Sequence, residues 1–222
     1  MKNHIVRVVF ALCMTAAFAH AQDLTIDDFT TGKSPVLKYK SGATNGSTQT
    51  GAEAHLIGGT RSTNFNIATN PLQQTSTFQF RPDVKNKQSA FIHNAAFLVT
   101  PRVDMVYGYG AAMHADLSSY SGDPNGLIRV NFLGLTGDLN FNIELFTGTV
   151  YALGGCNLSA YPGAFSIELP LNTFVDNGIN YADINTIDVI SQAASTTGGI
   201  EFAVTSIEVS KTPKPGALPC QI

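Results

Sequence analysis

The chain has 222 residues, a formal net charge of −3 and only 13% charged residues, against roughly 25% in typical soluble domains. This sparse, slightly acidic charge argues against nucleic acid and anionic membranes as partners, since both are held by clustered Lys and Arg. The length suits one β-sandwich with a full core.

Taken in chain order, the first segment is a targeting signal. Lys2 and Arg7 form a basic start, Val8–Phe18 is an apolar run, and Ala19-His20-Ala21 is a small-x-small cleavage site. The run is too short for a membrane span, which needs about 20 residues. Residues 1–21 are therefore expected to be removed, leaving a secreted or periplasmic chain with no membrane insertion. Loss of Lys2 and Arg7 leaves 11 basic residues against 16 acidic, a net charge of −5.

Residues 22–211 read as one domain of short β-like runs broken by turn residues. Leu24–Phe29 opens it and Val36–Lys40 follows, before a Gly/Thr/Ser loop at Ser41–Gly51. Ala54–Gly58, Asn64–Thr69, Thr75–Phe80, Ala90–His93, Ala95–Thr100 and Val103–Tyr109 come next. Ser118–Ser121 and Asn172–Asp176 read as single helical turns. Thr149–Leu153, Ala164–Leu169, Thr186–Ser191 and Ile200–Val209 complete the set. Many short strands with frequent turns predict an all-β fold, an antiparallel sandwich or jelly roll.

The clearest pattern is Leu127–Thr147. Ile128, Val130 and Phe132 alternate with Arg129 and Asn131, and Leu139, Phe141, Ile143 and Leu145 alternate with Asn140, Asn142 and Glu144. A period of two places each set on one face of a sheet. A hairpin turning at Thr136-Gly137 would pair Val130 with Ile143 and Phe132 with Phe141. On its other face it would pair Arg129 with Glu144 and Asn131 with Asn142. Later, Ile200, Phe202 and Val204 share one parity while Ile207 and Val209 take the other, so a bulge is expected near Thr205-Ser206.

Residues 212–222 form a Pro-rich tail, TPKPGALPCQI. In an exported protein two remaining cysteines usually pair. A Cys156–Cys220 bond would pin the tail to the sandwich; the alternatives are two free thiols or an intermolecular bond.

The order of LTIDDF (Leu24–Phe29), DLSSY (Asp116–Tyr120) with LIRVNF, and the ending LPLNTFV, DINTIDVIS and IEFAVTSIEV resembles the galactose-binding-like jelly roll. Many carbohydrate-binding modules and the complex I intermediate-associated protein family share that fold. The chain also resembles a group of exported bacterial proteins with an IDDF start and a GGTR segment (here Gly58–Arg61). The resemblance implies a sandwich that often binds glycans and often holds a structural calcium ion. The final strand here lacks the aspartate that many relatives carry near Thr205-Ser206. Asp27 and Asp28 remain the candidate hard-oxygen ligands for calcium. With no Trp in the chain, any aromatic platform must come from Tyr.

The candidate ligand-binding residues are Arg129, Asn131, Asn140, Asn142 and Glu144, whose amides, guanidinium and carboxylate suit sugar hydroxyls. Tyr107 and Tyr109, placed on one side of a strand by their spacing, join them. So does Arg61, whose alternative role is a structural hydrogen bond to loop carbonyls. Catalytic motifs are absent. There is no H-E-x-x-H or C-x-x-C spacing and no G-x-S-x-G elbow, and no E-x-D-x-x-E pattern. The sequence thus points to an exported, non-catalytic glycan-binding domain. The alternatives are an interaction protein of the envelope or exterior with no small ligand, and, behind it, a glycan-active enzyme.

Overall fold

The computed structural model describes residues 23–32, 37–39, 45–81, 89–194 and 199–220. The expected export signal lies outside them. The strands in chain order are β1 (Leu24–Asp27), β2 (Leu37–Tyr39), β3 (Asn45–Thr50), β4 (Thr60–Thr69), β5 (Ser76–Arg81), β6 (Ala90–Ala95), β7 (Thr100–Tyr107), β8 (Leu127–Thr136), β9 (Leu139–Thr147), β10 (Val150–Leu158), β11 (Phe165–Pro170), β12 (Val175–Asp176), β13 (Thr186–Ala193), β14 (Ile200–Ser210) and β15 (Leu218–Pro219). Ser118–Ser121 forms one helical turn, and Ile57–Gly59 and Leu171–Thr173 form 3-10 turns.

These strands make a two-sheet sandwich. Sheet A runs β15-β11-β8-β14-β6-β5-β2, with β1 also on β14; sheet B runs β12-β10-β9-β13-β7-β4-β3. All pairings are antiparallel except the short parallel contact of β15 with β11. The inward rows of both sheets bury one continuous apolar core, in which Ile128, Val130, Ile143, Leu145, Val189 and Ile207 are wholly inaccessible. Each such side chain contributes about 1.5–3 kcal/mol.

Four expected features change. Ala95–Thr100, expected as a strand, is a connection: β6 ends at Ala95, the chain turns, and β7 begins at Thr100. Asn172–Asp176, expected as one helical turn, divides between the 3-10 turn Leu171–Thr173 and strand β12. Ala54–Gly58 is a turn leading into a 3-10 turn, because Gly58 and Gly59 both adopt φ +65° and reverse the chain. Residues 45–50, expected within a loop, form β3 on the edge of sheet B against β4. Their sequence, NGSTQT, lacks apolar alternation because an edge strand over the end of the core has little to bury.

The largest correction concerns the central pair. β8 and β9 are not a hairpin: β8 lies in sheet A between β11 and β14, and β9 lies in sheet B between β10 and β13. Their connection arches across the core. Gly137 sits there at φ +78°, where a Cβ would come within 2.7 Å of the Gly199 carbonyl oxygen. Phe132 does meet Phe141, with ring centroids 5.7 Å apart and edges to faces, but across the sandwich rather than along a ladder. Two strands with one apolar face each satisfy the same alternation whether they lie side by side or face each other.

The expected irregularity in the last strand is present, and it is doubled. Between β8 and β14 the register slips once at Leu133 and back again at Thr205. Beyond the slip β14 changes its other neighbour, from β6 (Ile200–Val204) to β1 (Ile207–Val209).

Cys156 of β10 is bonded to Cys220, which follows β15, so a covalent tie joins an edge of sheet B to an edge of sheet A across 64 residues of sequence. Closing a loop of that size stabilises by about 4 kcal/mol in the chain-entropy picture.

His93 is the polar exception in the core. It is 1% exposed, with rings of Phe65, Phe91 and Phe202 around it and no hydrogen bond to either ring nitrogen. Burial pushes its pKa from 6.5 down to about 3. The unfolded chain therefore takes up a proton at this residue that the folded chain refuses. The His93 contribution is intact above pH 6.5 and is lost as pH falls toward 3, at up to about 1.4 kcal/mol per pH unit. Urea titrations across this range are expected to show that slope, and His93→Leu is expected to flatten it.

Candidate ligand-binding face

The split of β8 and β9 between two sheets separates the residues expected to form one site. Arg129 and Asn131 lie on the outer face of sheet A. Asn140, Asn142 and Glu144 lie on the outer face of sheet B, on the far side of the molecule.

Arg129 stands in register between Glu168 of β11 and Glu208 of β14. It bonds Glu168 at 3.0–3.1 Å and Glu208 at 2.9 Å, approaches Asp23 at 3.6 Å, and donates to the Thr212 carbonyl. With 6% of its surface exposed, it clamps the tail to the sheet and has no free donor to offer. The partner expected for it, Glu144, is on the opposite face.

Arg61, Tyr107 and Asp27 form a second buried network. All three are inaccessible to solvent. The Arg61 guanidinium pairs with Asp27 and Gln49, donates to the Thr31 carbonyl at 2.9 Å, and lies 3.7 Å from the centroid of the Phe80 ring. The Tyr107 hydroxyl donates to Asp27 at 2.9 Å, and the Phe29 N–H donates to the other carboxylate oxygen at 2.7 Å. Burial raises the Asp27 carboxyl above its ordinary value, while the guanidinium and the hydrogen bonds pull against it. Burial, and then the Asp27 charge, push Tyr107 well above 10. These side chains bind each other and are closed off from solvent. Tyr109 does not share the Tyr107 face, because β7 ends at Tyr107 and Gly108 turns the chain at φ +80°, leaving Tyr109 62% exposed.

Asp27 and Asp28, the carboxylates expected to serve calcium, are both engaged within the fold. Both Asp27 oxygens are occupied by donors. Asp28 accepts from Thr30 and contacts His55 Nδ1 at 2.5 Å. A calcium site needs six to eight oxygen ligands, and no group of three or more His, Cys, Asp or Glu is placed to hold a metal among the described residues.

The outer face of sheet B is different. The registers stack its outward side chains into transverse rows. One row reads Asn157, Asn140, Gln192, Arg102, Asn66 from β10 to β4. The next holds Asn142, Ile190, Asp104 and Asn64, and the third holds Glu144 beside Asp188. Phe146 and Tyr151 close the face, ring centroids 5.9 Å apart, with Tyr151 39% exposed. Ile190 is only 5% exposed although it points outward, so the surrounding polar side chains pack over it. Gly155 lets the Asn142 side chain lie over the β10 backbone: a Cβ there would fall 2.0 Å from the Asn142 side-chain oxygen.

The side chains of Asn140, Asn142, Glu144 and Gln192 make no hydrogen bond among the described residues, in contrast to those of Arg129 and Asn131. Arg102 is paired with Asp104 at 2.7 Å. Asp188 has a buried oxygen with no donor. Burial first, and then the charges of Asp104 and Glu144, raise its pKa to about 7. The sequence reading passes over Asp188, Gln192, Arg102 and Asp104. The signal is present in RVDMVY and IDVISQ, where polar and apolar residues alternate as they do in β9.

No protein-family model matches the chain, and no curated protein does. Among solved structures it is similar to the family 11 carbohydrate-binding module of the cellulosomal cellulase Lic26A-Cel5E of Clostridium thermocellum, with 14% identity, 89% of this chain and 96% of the other covered, and a TM-score of 0.39. A family 30 carbohydrate-binding module matches with 12% identity, 90% and 92% coverage and a TM-score of 0.47. The family 30 module of the C. thermocellum cellulase Cel9D-Cel44B matches with 10% identity, 87% and 99% coverage and a TM-score of 0.42. At these values the likeness is one of sandwich layout.

Two variants separate structural from open residues. Arg61→Met leaves Asp27 buried without its cation and is expected to cost about 3–5 kcal/mol, read by urea unfolding; a loss below about 1 kcal/mol would show the pair to be dispensable. Asp188→Asn acts oppositely. The raised pKa means that the fold loses stability as pH rises from 3.8 to about 7, so the full cost is present at pH 8. Allowing for the solvent contact Asp188 retains, the variant is expected to gain about 1–2 kcal/mol at pH 8 and little below pH 4.

Proposed function

We propose that this chain is an exported, non-catalytic carbohydrate-binding domain whose ligand lies on the outer face of sheet B. The observation that carries the reading is the set of outward Asn, Gln and Glu side chains with no side-chain hydrogen bond among the described residues, next to an exposed tyrosine. Amides donate and accept at once, which matches the vicinal hydroxyls of a sugar, and Tyr151 offers a flat apolar surface with a polar tip. The side chains stand on central strands, so little order must be gained on binding. Three carboxylates face a single guanidinium there, and that balance favours neutral or amino sugars over acidic ones.

The non-catalytic part of the reading draws on placement. Glu144 and Asp188 stand side by side on neighbouring strands and point the same way. A pair that cleaves a glycosidic bond flanks it from both sides.

A glycan array probed with wild type, Asn142→Ala and Tyr151→Ala tests the reading. Wild type is expected to bind a neutral glycan, and each variant to bind at least about tenfold more weakly, the equivalent of one hydrogen bond or ring contact. Absence of wild-type binding across the array, or variants that bind as wild type does, would overturn it.

A further inference from the structure

The outer face of sheet A carries a concavity that the proposed site on sheet B does not explain. Two cavities, of about 510 and 300 Å³, meet at Leu133 and run as one groove along β8 and β14. Pockets of this size hold small organic ligands. The groove lies where the β8–β14 ladder slips twice, at Leu133 and at Thr205. Bulges of this kind re-aim side chains and recur beside binding sites. Here the slip leaves Leu133 40% exposed, beside Ile92, Ala203 and Tyr161 in the groove lining.

The two ends of the groove differ in chemistry. At one end Asn131 is fixed by three contacts: its amide donates to Ser206 at 2.7 Å, and its oxygen accepts from Ser166 at 2.6 Å and from the Lys214 ammonium at 3.4 Å. Lys214 also reaches Ser166, at 3.1 Å. These contacts hold the floor in one geometry. The second amide hydrogen of Asn131, the Ser206 hydroxyl proton and the remaining ammonium protons stay available for a ligand. At the other end Tyr161 is 41% exposed, with its ring 4.9 Å from that of Phe165, which is stacked on Phe132 at 4.7 Å. A fixed aromatic surface thus follows a fixed polar floor along one groove. The tail residues Lys214–Ala217 form a wall. That wall is held by the Cys156–Cys220 bond, the β15–β11 contact and the bond from Lys214 N–H to Glu168 at 2.7 Å.

We propose that this groove is a second binding site, separate from the face of sheet B, that takes an extended neutral oligosaccharide. One part of the chain would lie on Tyr161 and Leu133, and its neighbour would hydrogen-bond to Asn131, Ser206 and Lys214. The class follows from the lining. Hydroxyl, amide and ammonium donors suit sugar hydroxyls, and the adjoining ring suits a sugar's apolar face. The Arg129 charge is already balanced by Glu168 and Glu208, which leaves no cationic cluster for a polyanion.

The test is an amide-shift titration of the intact protein by two-dimensional NMR, using neutral hexasaccharides that differ in linkage. Wild type, Asn142→Ala, Tyr161→Ala and Lys214→Ala are compared. Tyr161 and Lys214 are exposed enough for their variants to fold, and an unchanged overall spectrum verifies it. A supporting result has saturable shifts at Leu133, Tyr161 and Lys214 that persist in Asn142→Ala and weaken at least about tenfold in Tyr161→Ala or Lys214→Ala. Shifts confined to Asn142, Tyr151 and Gln192 overturn the second site and leave the sheet B reading standing. Shifts confined to the groove do the reverse. No shifts with any hexasaccharide, or groove shifts that both groove variants leave unchanged, also overturn the proposal.

Discussion

The ion pair of Arg61 with Asp27 ties the two layers together at their most buried point. Asp27 comes from β1 of sheet A and Arg61 from β4 of sheet B, and Tyr107 of β7 adds a hydroxyl to the same carboxylate. Two charges inside a phenylalanine-rich core are costly unless their hydrogen-bonding groups are met. Here Gln49, the Thr31 carbonyl and the Phe29 N–H complete the set, and Phe80 stacks on the guanidinium. The IDDF and GGTR segments of the sequence are the two halves of this single contact. The paired glycines before Thr60 turn the chain so that Arg61 enters the core.

A second tie acts at the edge of the sandwich. The Cys156–Cys220 bond and the Arg129 clamp fix the tail across sheet A. Arg129, Glu168 and Glu208 are consequently satisfied from within and form a structural layer, beside which Asn131 keeps one amide hydrogen unused. Sheet B carries no such layer among the described residues. Its outward amides and carboxylates face solvent, and Asp188 is held against two like charges. A fold that tolerates this repulsion keeps a polar surface that its own stability does not require, as binding surfaces commonly do.

Much of the architecture was legible in the chain. Strand positions in β4 to β11, β13 and β14 follow from alternation, the bulge at Thr205 from a change of parity, and the pairing of Cys156 with Cys220 from cysteine arithmetic. Edge strand β3 was not legible, because its polar sequence has no inward row to reveal it. The Tyr107–Tyr109 pair misled because a strand's parity ends where the strand ends, and Gly108 ends it.

The sequence by itself determined which side chains of each strand face inward, since burying an apolar row is worth several kcal/mol and a period of two leaves one choice. It also determined that Asn140, Asn142 and Glu144 share a surface. Only the tertiary structure decided which strands are neighbours. Alternation reads the same for a hairpin and for an arch across the core, because both put apolar rows face to apolar row. That choice sent Arg129 to Glu168 and Glu208, sent Glu144 to Asp188, and turned one expected polar face into two of different character.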